Sequence, residues 1–341
     1  MIGAVEGEPL RMAWLASRLA RKGQAAKARE LCARALALAP AEAEIAIIAA
    51  EIFSDGVPEW HAAIANDQAR LAAYDAALRR AVKPGDCVLE IGTGSGILAM
   101  MAARAGAAEV ITCEMNPVIA ERARQIIAQN GYADRVRVIA KHSDALRLGV
   151  DLSRRADVLV SEIIGTSLLG ENVLPVMDMV ADRLLREGGA MIPARGTVRV
   201  ALADYADVAS QRLGTIDGFD LSAFNGLLPP SYFIDVDSPY LTLRSAAADL
   251  FTFDFRFELP DSGRVKRVLR TEGGPANGVV EWIRLEMDDV TVYENQPHHS
   301  AFSSWGATFH PFVAGHAPQA TDDVTVHGSH DINSVRIWTS P

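Results

Sequence analysis

Residues 88 to 98 read VLEIGTGSGIL: an apolar run carrying Glu90, glycines at 92, 94 and 96, then Ile97 and Leu98 opening a new pattern. Glycines let a backbone turn tightly and approach a ligand, and a helix that starts straight after them presents unpaired N–H groups. Working outward, the chain alternates. CVLEIG from Cys87 predicts a strand, Ile97 to about Ala105 a helix, EVITCE a strand, about Pro117 to Asn130 a helix, then RVRVIA, ADVLVSE and a helix before GGAMIP. Strand and helix in turn predict a parallel sheet covered by helices on both faces, an α/β Rossmann-like domain.

The glycine spacing is E-x-G-x-G-x-G, with Ile97 where a G-x-G-x-x-G dinucleotide fingerprint wants its third glycine. A pyrophosphate wants helix N–H groups and no neighbouring acid, which disfavours a nicotinamide-dependent oxidoreductase. S-adenosylmethionine has no phosphate and carries a sulfonium and an ammonium, so Glu90 in the turn suits it. Glu114, closing the second strand, is placed to accept both ribose hydroxyls, and Ser143 and Asp144 follow the third strand where adenine should lie. Upstream, His61, Ile64 and Arg70 on a predicted helix can share or adjoin one face, and Arg70 can hold a carboxylate bidentately. Taken alone, an arginine on an amphipathic helix is more often a solvated charge, and His61 more often a satisfied surface histidine.

A second stretch, VSEIIGTSLLGEN (160 to 172), keeps Glu162 and Glu171 in apolar surroundings. Glu162 ends the strand ADVLVSE, at the edge where open parallel sheets bind ligands. Gly165 and Gly170 allow the chain to double back and bring Glu171 to face it. Two such carboxylates repel unless a cation lies between them, and a planar guanidinium offers a fork both can grip. The alternative is an acid near the next helix N-terminus.

The chain has 341 residues, 49% hydrophobic and 22% charged, with net charge -10. That argues against direct nucleic-acid binding. No basic-then-apolar leader opens it, and no run approaches the roughly 18 to 20 apolar residues of a membrane span. Cys32, Cys87 and Cys113 form no CxxC and match no histidine spacing, so neither a disulfide framework nor a metal site is suggested, and a reducing cytoplasm is the default. Residues 9 to 42 predict two amphipathic helices, with Leu10, Trp14, Leu15 and Leu19 on one stripe and Ala28, Leu31, Ala35 and Leu38 on the other. Their spacing matches half a tetratricopeptide repeat, and a degenerate unit begins at Ala43. After about Pro193 the helical period disappears. LFTFDFRFEL (250 to 259) alternates Phe251, Phe253, Phe255 and Phe257 with polar residues, predicting a half-buried antiparallel strand that WIRLEM, VTVY, VTVH and SVRIW continue. The domains are therefore a tetratricopeptide-like helical extension (1–56), a Rossmann-like S-adenosylmethionine-binding domain (57–193) and an antiparallel β-barrel or sandwich substrate domain (194–341) with an arm at about 204–240.

Taken in order, H61-x5-D67-x2-R70, E90-x-G92-x-G94-x-G96, Glu114, E162-x8-E171 and the GFDLSAFN segment (218 to 225) resemble the protein arginine methyltransferase family over about residues 60 to 341. The helical N-terminus is similar to an extension on some members. The resemblance implies that His61, Ile64, Arg70, Glu90, Gly92, Gly94, Glu114, Ser143 and Asp144 contact S-adenosylmethionine. It implies that Glu162 and Glu171 hold a substrate guanidine, that Trp305 helps close the site, and that the arm makes a head-to-tail homodimer. The acceptor it implies is arginine in a protein or peptide. Free arginine or another small guanidine is the alternative, and a catalytically idle binding protein on the same fold is the non-enzyme reading. Two departures stand out: the family's Thr-His-Trp loop is Ser303-Ser304-Trp305 here, with His298 and His299 nearby, and its tyrosine pair before the first helix is absent, Phe53 standing in EIFSDGVPEW.

Overall fold

Alanine decides how the first helices pack. The computed structural model describes residues 5–298, 303–312 and 318–340, and the chain divides into a unit of residues 1–61 and a unit of residues 62–341. In the first, α1 (Pro9–Arg21), α2 (Ala25–Leu38) and α3 (Ala43–Ser54) close on Met12, Ala13, Ala16, Ala28, Leu31, Cys32, Ala35, Ile45, Ile48, Ala49 and Ile52. The stripe expected on α1 is rotated, with Leu10 and Trp14 exposed and Leu15 and Leu19 only flanking the core, whereas on α2 Ala28, Leu31 and Ala35 are buried as expected and Leu38 alone is exposed. Small side chains at 13, 16, 28 and 35 permit close helix approach, and that packing outweighs burial of the larger residues.

The sequence from Trp60 to Arg70 is two helices, α4 (Trp60–Asn66) and α5 (Gln68–Ala81), rather than the single one expected. Asp67 separates them because its side chain caps α5, accepting the Arg70 N–H at 3.0 Å. Then follow β1 (Cys87–Ile91), α6 (Ile97–Ala105), β2 (Glu109–Cys113), α7 (Pro117–Gln129), β3 (Val136–Ile139), β4 (Ala156–Ser161), α8 (Val173–Leu184) and β5 (Leu185–Ile192). The five strands form a parallel sheet in the order β3-β2-β1-β4-β5. Every residue of β1 is buried, as a strand covered on both faces requires. The order reverses between β1 and β4, which opens a crevice at the carboxyl ends of those strands.

The rest is antiparallel, as expected. It comprises β6 (Arg195–Tyr205), the small hairpin β7 (Thr215–Ile216) and β8 (Phe219–Asp220), β9 (Tyr232–Ile234), β10 (Leu241–Leu243), β11 (Ala248–Asp254), β12 (Gly263–Arg270), β13 (Gly278–Glu286), β14 (Val292–Glu294), β15 (Ala307–Pro311), β16 (Asp323–His330) and β17 (Val335–Ser340). A seven-stranded sheet runs β10-β6-β13-β15-β9, with β11 also on β6 and β14 on β13, and β12-β16-β17 form a second sheet. The run 250 to 259 is shorter as a strand than its pattern predicts. It ends at Asp254, whose carboxylate binds the Arg256 guanidinium at 2.7 and 2.8 Å; Phe255 is buried past the strand end while Phe257 is exposed. Between β6 and β9 the segment is mainly 3-10 turns and the hairpin, and it exposes Ile216, Phe219, Leu221, Phe224 and Leu227.

Candidate functional site

The glycine loop divides its work. Gly92, Gly94 and Gly96 all have positive φ (85°, 51° and 82°), where a side chain is strained. A Cβ at Gly92 would lie 2.9 Å from Ile163 and one at Gly96 3.0 Å from Ile127, so these two serve packing; one at Gly94 meets nothing within 4 Å. Gly94 therefore borders open space, and its N–H donates to Glu114 Oε2 at 3.2 Å. The other oxygen of Glu114 accepts the Asn116 N–H at 2.9 Å, which aims the carboxylate at the loop. Beyond β3, Ser143 is buried in a 3-10 turn and Asp144 is exposed, its carboxylate 2.9 Å from His142 Nδ1. The ends of β1, β2 and β3 thus bring Gly92, Gly94, Glu114, Ser143 and Asp144 to one edge of the sheet.

Glu90 is not in the turn. It is the penultimate residue of β1, buried, and its Oε2 has no hydrogen-bond partner among the described residues. Burial pushes its pKa up to about 8, against a lowering hydrogen bond from Thr112.

Ser161 at the end of β4 is fixed from two sides: its Oγ donates to the Ile91 carbonyl at 3.2 Å, and its carbonyl accepts the Tyr74 hydroxyl at 3.0 Å. The next residue, Glu162, places Oε1 2.8 Å from Arg70 Nη1. Among the described residues neither atom makes an aligned hydrogen bond, and Arg70 Nε has none either. Arg70 is buried, donates through Nη2 to the Ile64 carbonyl, and lies 5.2 Å over the Trp305 ring. Burial raises the Glu162 pKa to about 7; Arg70 pulls it down, and the charge of Glu171 pushes it further up. Glu171 is itself raised, by partial burial and then by Glu114. The intervening chain folds back, with the Leu168 N–H on the Gly165 carbonyl at 2.9 Å and Gly165 and Gly170 closely apposed. The indole N–H of buried Trp305 donates to the Ile164 carbonyl at 2.9 Å, within that same fold-back.

The structure therefore brings Arg70, Ile64, Glu162 and Trp305 together, with Glu171 close enough to act on Glu162 electrostatically. His61 belongs to the other unit and stacks at 4.1 Å on Trp60. His298 turns its Nε2 to the Leu241 carbonyl at 2.9 Å, and His299 lies outside the described residues. Sequence reasoning left out Tyr293 and gave no role to Asp67, Ser303 and Ser304, although Asp67 stands in the H61-x5-D67-x2-R70 motif and the two serines mark the altered loop; the four form a hydrogen-bonded group next to Arg70 and Trp305.

Residues 71–194 match the family profile described as ribosomal protein L11 methyltransferase, which covers the parallel-sheet region. The chain is 38% identical over 251 residues to an arginine N(omega)-methyltransferase of Streptomyces achromogenes subsp. streptozoticus, covering 73% of this chain and 70% of that one. This chain belongs to the arginine N-methyltransferase family. It is also 34% identical over 267 residues to protein arginine N-methyltransferase 7 of Drosophila grimshawi, spanning 68% of this chain but only 37% of the relative. Two solved structures share the fold. One is the Trypanosoma brucei PRMT1 enzyme-prozyme heterotetrameric complex with AdoHcy (TM-score 0.73, 20% identity, 84% of this chain and 100% of that one). The other is Arabidopsis thaliana protein arginine methyltransferase 10 (TM-score 0.65, 17% identity, 84% and 98%). Among the described residues, no helix is long and apolar enough to cross a membrane.

Proposed function

We propose that this chain transfers a methyl group from S-adenosylmethionine to a guanidino nitrogen of arginine. The observation that carries the reading is Glu162: a largely buried carboxylate at the β4 carboxyl end, 2.8 Å from Arg70 and near enough to Glu171 to feel its charge. A second guanidinium between the two glutamates satisfies that pair. The cofactor fits the other unsatisfied groups. Arg70 Nε is a buried donor available to a carboxylate, while Glu90 holds a buried acceptor for a cationic group, and a methionyl moiety has both. Open space at Gly94, with Glu114 aimed at it, suits a ribose; Ser143 and Asp144 stand where the adenine is expected. His61 remains part of this proposal on its position in the family motif.

Bound S-adenosylmethionine supplies a methyl carried on a cationic sulfur, which departs as the neutral thioether of S-adenosylhomocysteine. Glu162 and Glu171 orient the acceptor's guanidinium and draw its positive charge away from the attacking nitrogen, an effect of geometry and electrostatics. One of them takes the proton released as the carbon–nitrogen bond forms. Trp305, held by Ile164, excludes water from that point.

Arginine in a protein or peptide is the acceptor we favour, from the relatives named for protein arginine. Free arginine is the second reading, because the bacterial relative at 38% identity is named for arginine alone. We infer further that the exposed apolar residues Phe219, Phe224 and Leu227 of the segment after β6 meet a second copy in a homodimer. The three buried free thiols suit a reducing cytoplasm, and the tetratricopeptide-like character of α1 to α3 belongs to the same proposal. Incubation with methyl-labelled S-adenosylmethionine and two acceptors in parallel, free L-arginine and a Gly/Arg-rich peptide, read by mass spectrometry, tests it. Label on peptide arginines supports the first reading, label on free arginine alone the second, and label on neither leaves an idle binding fold.

A further inference from the structure

Asp67 is fully buried, and its carboxylate is hydrogen-bonded on both oxygens. Oδ1 accepts the Arg70 N–H at 3.0 Å. Oδ2 accepts the Tyr293 hydroxyl at 2.9 Å, the Ser304 N–H at 2.9 Å and the Ser304 hydroxyl at 3.0 Å. Tyr293, on β14, has a second partner: its hydroxyl is 2.9 Å from Ser303 Oγ, which accepts the Trp305 N–H at 3.1 Å. The Tyr293 ring also meets the Trp305 ring edge-on, with centroids 5.5 Å apart. The hydroxyl therefore touches the short loop that delivers Trp305 to Arg70 and Ile164 directly at Ser303 and, through Asp67, at Ser304.

We infer that Tyr293 is a positioning residue for the site, resting on the reading just proposed. Through Asp67 and Ser303 it fixes the Ser303–Trp305 loop, and through that loop the seat of Trp305 under the Arg70 guanidinium and against the segment between Glu162 and Glu171. A buried carboxylate needs several donors to remain buried, and hydrogen bonds to a charged acceptor are roughly twice as strong as neutral ones. The Ser304 side chain brings one donor, and the tyrosine reaches across from β14 with another. Asp67 also caps α5 through the backbone of Arg70 itself. The same side chain thereby ties the cation of the site to the loop that covers it, and a loosened loop changes the position of Trp305 without uncapping the helix.

Tyr293→Phe removes the hydroxyl and keeps the ring on Trp305. Two measurements on the full chain read the result. Without ligands, hydrogen exchange of the backbone amides at 303 to 306 is expected to quicken about tenfold, the equivalent of one charge-assisted hydrogen bond of about 1.4 kcal/mol. In methyl transfer, kcat is expected to fall about tenfold while the cofactor Kd and the acceptor KM change less than about threefold, since Arg70 stays capped and buried. Exchange and kcat within twofold of the parent would overturn the inference. So would a fall in cofactor affinity and Tm in step with kcat, which marks a general loss of structure. If the parent chain methylates no guanidine, the proposed function fails on its own, and the exchange measurement still decides the role of Tyr293.

Discussion

Replacing Glu162 with glutamine tests whether the site is held in place at a cost to the fold. Two forces act on this carboxylate. Burial disfavours its charge, and Arg70 at 2.8 Å favours it; the balance lies with burial, because the pKa rises from the ordinary 4.5 to about 7. A carboxyl whose folded-state pKa is raised is neutral in both folded and unfolded chains below about pH 4.5, and stability falls as pH rises from there to about 7 and then levels off. Each tenfold change in a protonation equilibrium is worth about 1.4 kcal/mol, so the ionised form costs about 3 kcal/mol at pH 8 and under about 1 kcal/mol at pH 5. Glutamine keeps the shape and stays neutral. The cofactor-free Glu162→Gln variant should therefore melt higher than the parent by about 6 °C at pH 8 and under about 2 °C at pH 5, at about 2 °C per kcal/mol for a domain of this size, while losing methyl transfer. Paired thermal unfolding at the two pH values isolates the effect, since other titrating groups cancel in the difference. A buried ion pair governed by Arg70 predicts the reverse, a loss of about 3–5 kcal/mol from an orphaned guanidinium. A variant that melts lower at pH 8, or whose Tm difference ignores pH, refutes the reasoning.

Glu171→Gln, at the more open of the two glutamates, should leave the cofactor Kd nearly unchanged and lower kcat by about a hundredfold or more, as expected for a group that acts on developing charge; normal turnover would remove the paired-carboxylate mechanism. In the parent enzyme kcat/KM should rise about tenfold per pH unit below 7 and level above it, because the acceptor cation needs Glu162 ionised and its pKa is about 7; a profile flat from pH 6 to 8 would assign that work elsewhere. Gly92→Ala should weaken S-adenosylmethionine binding at least tenfold, since the new methyl meets Ile163 at 2.9 Å on a backbone with φ of 85°, and isothermal titration showing parental affinity would contradict that account of the loop.

The parallel-sheet half was legible because its signals are local. Periodicity, a run of glycines at alternate positions and an acid at each strand end are written within a few residues of one another, and the strands and helices fall where those signals put them. The fold-back between Glu162 and Glu171 was legible for the same reason, since Gly165 and Gly170 mark it. Where packing competed with pattern, the sequence misled. Alanines rather than Leu10 and Trp14 line the helical core, Asp67 capped a new helix instead of continuing one, and Asp254 ended a strand whose aromatic alternation runs on to Phe257. The glutamates and the glycine loop are thus properties of the chain as written. What only the tertiary structure decided is the meeting of residues hundreds of positions apart: Tyr293 and Ser304 on Asp67, and Trp305 under Arg70 and on Ile164. Hydrogen bonds between such distant groups leave no period or spacing in the sequence, because their geometry exists only once both sheets have formed.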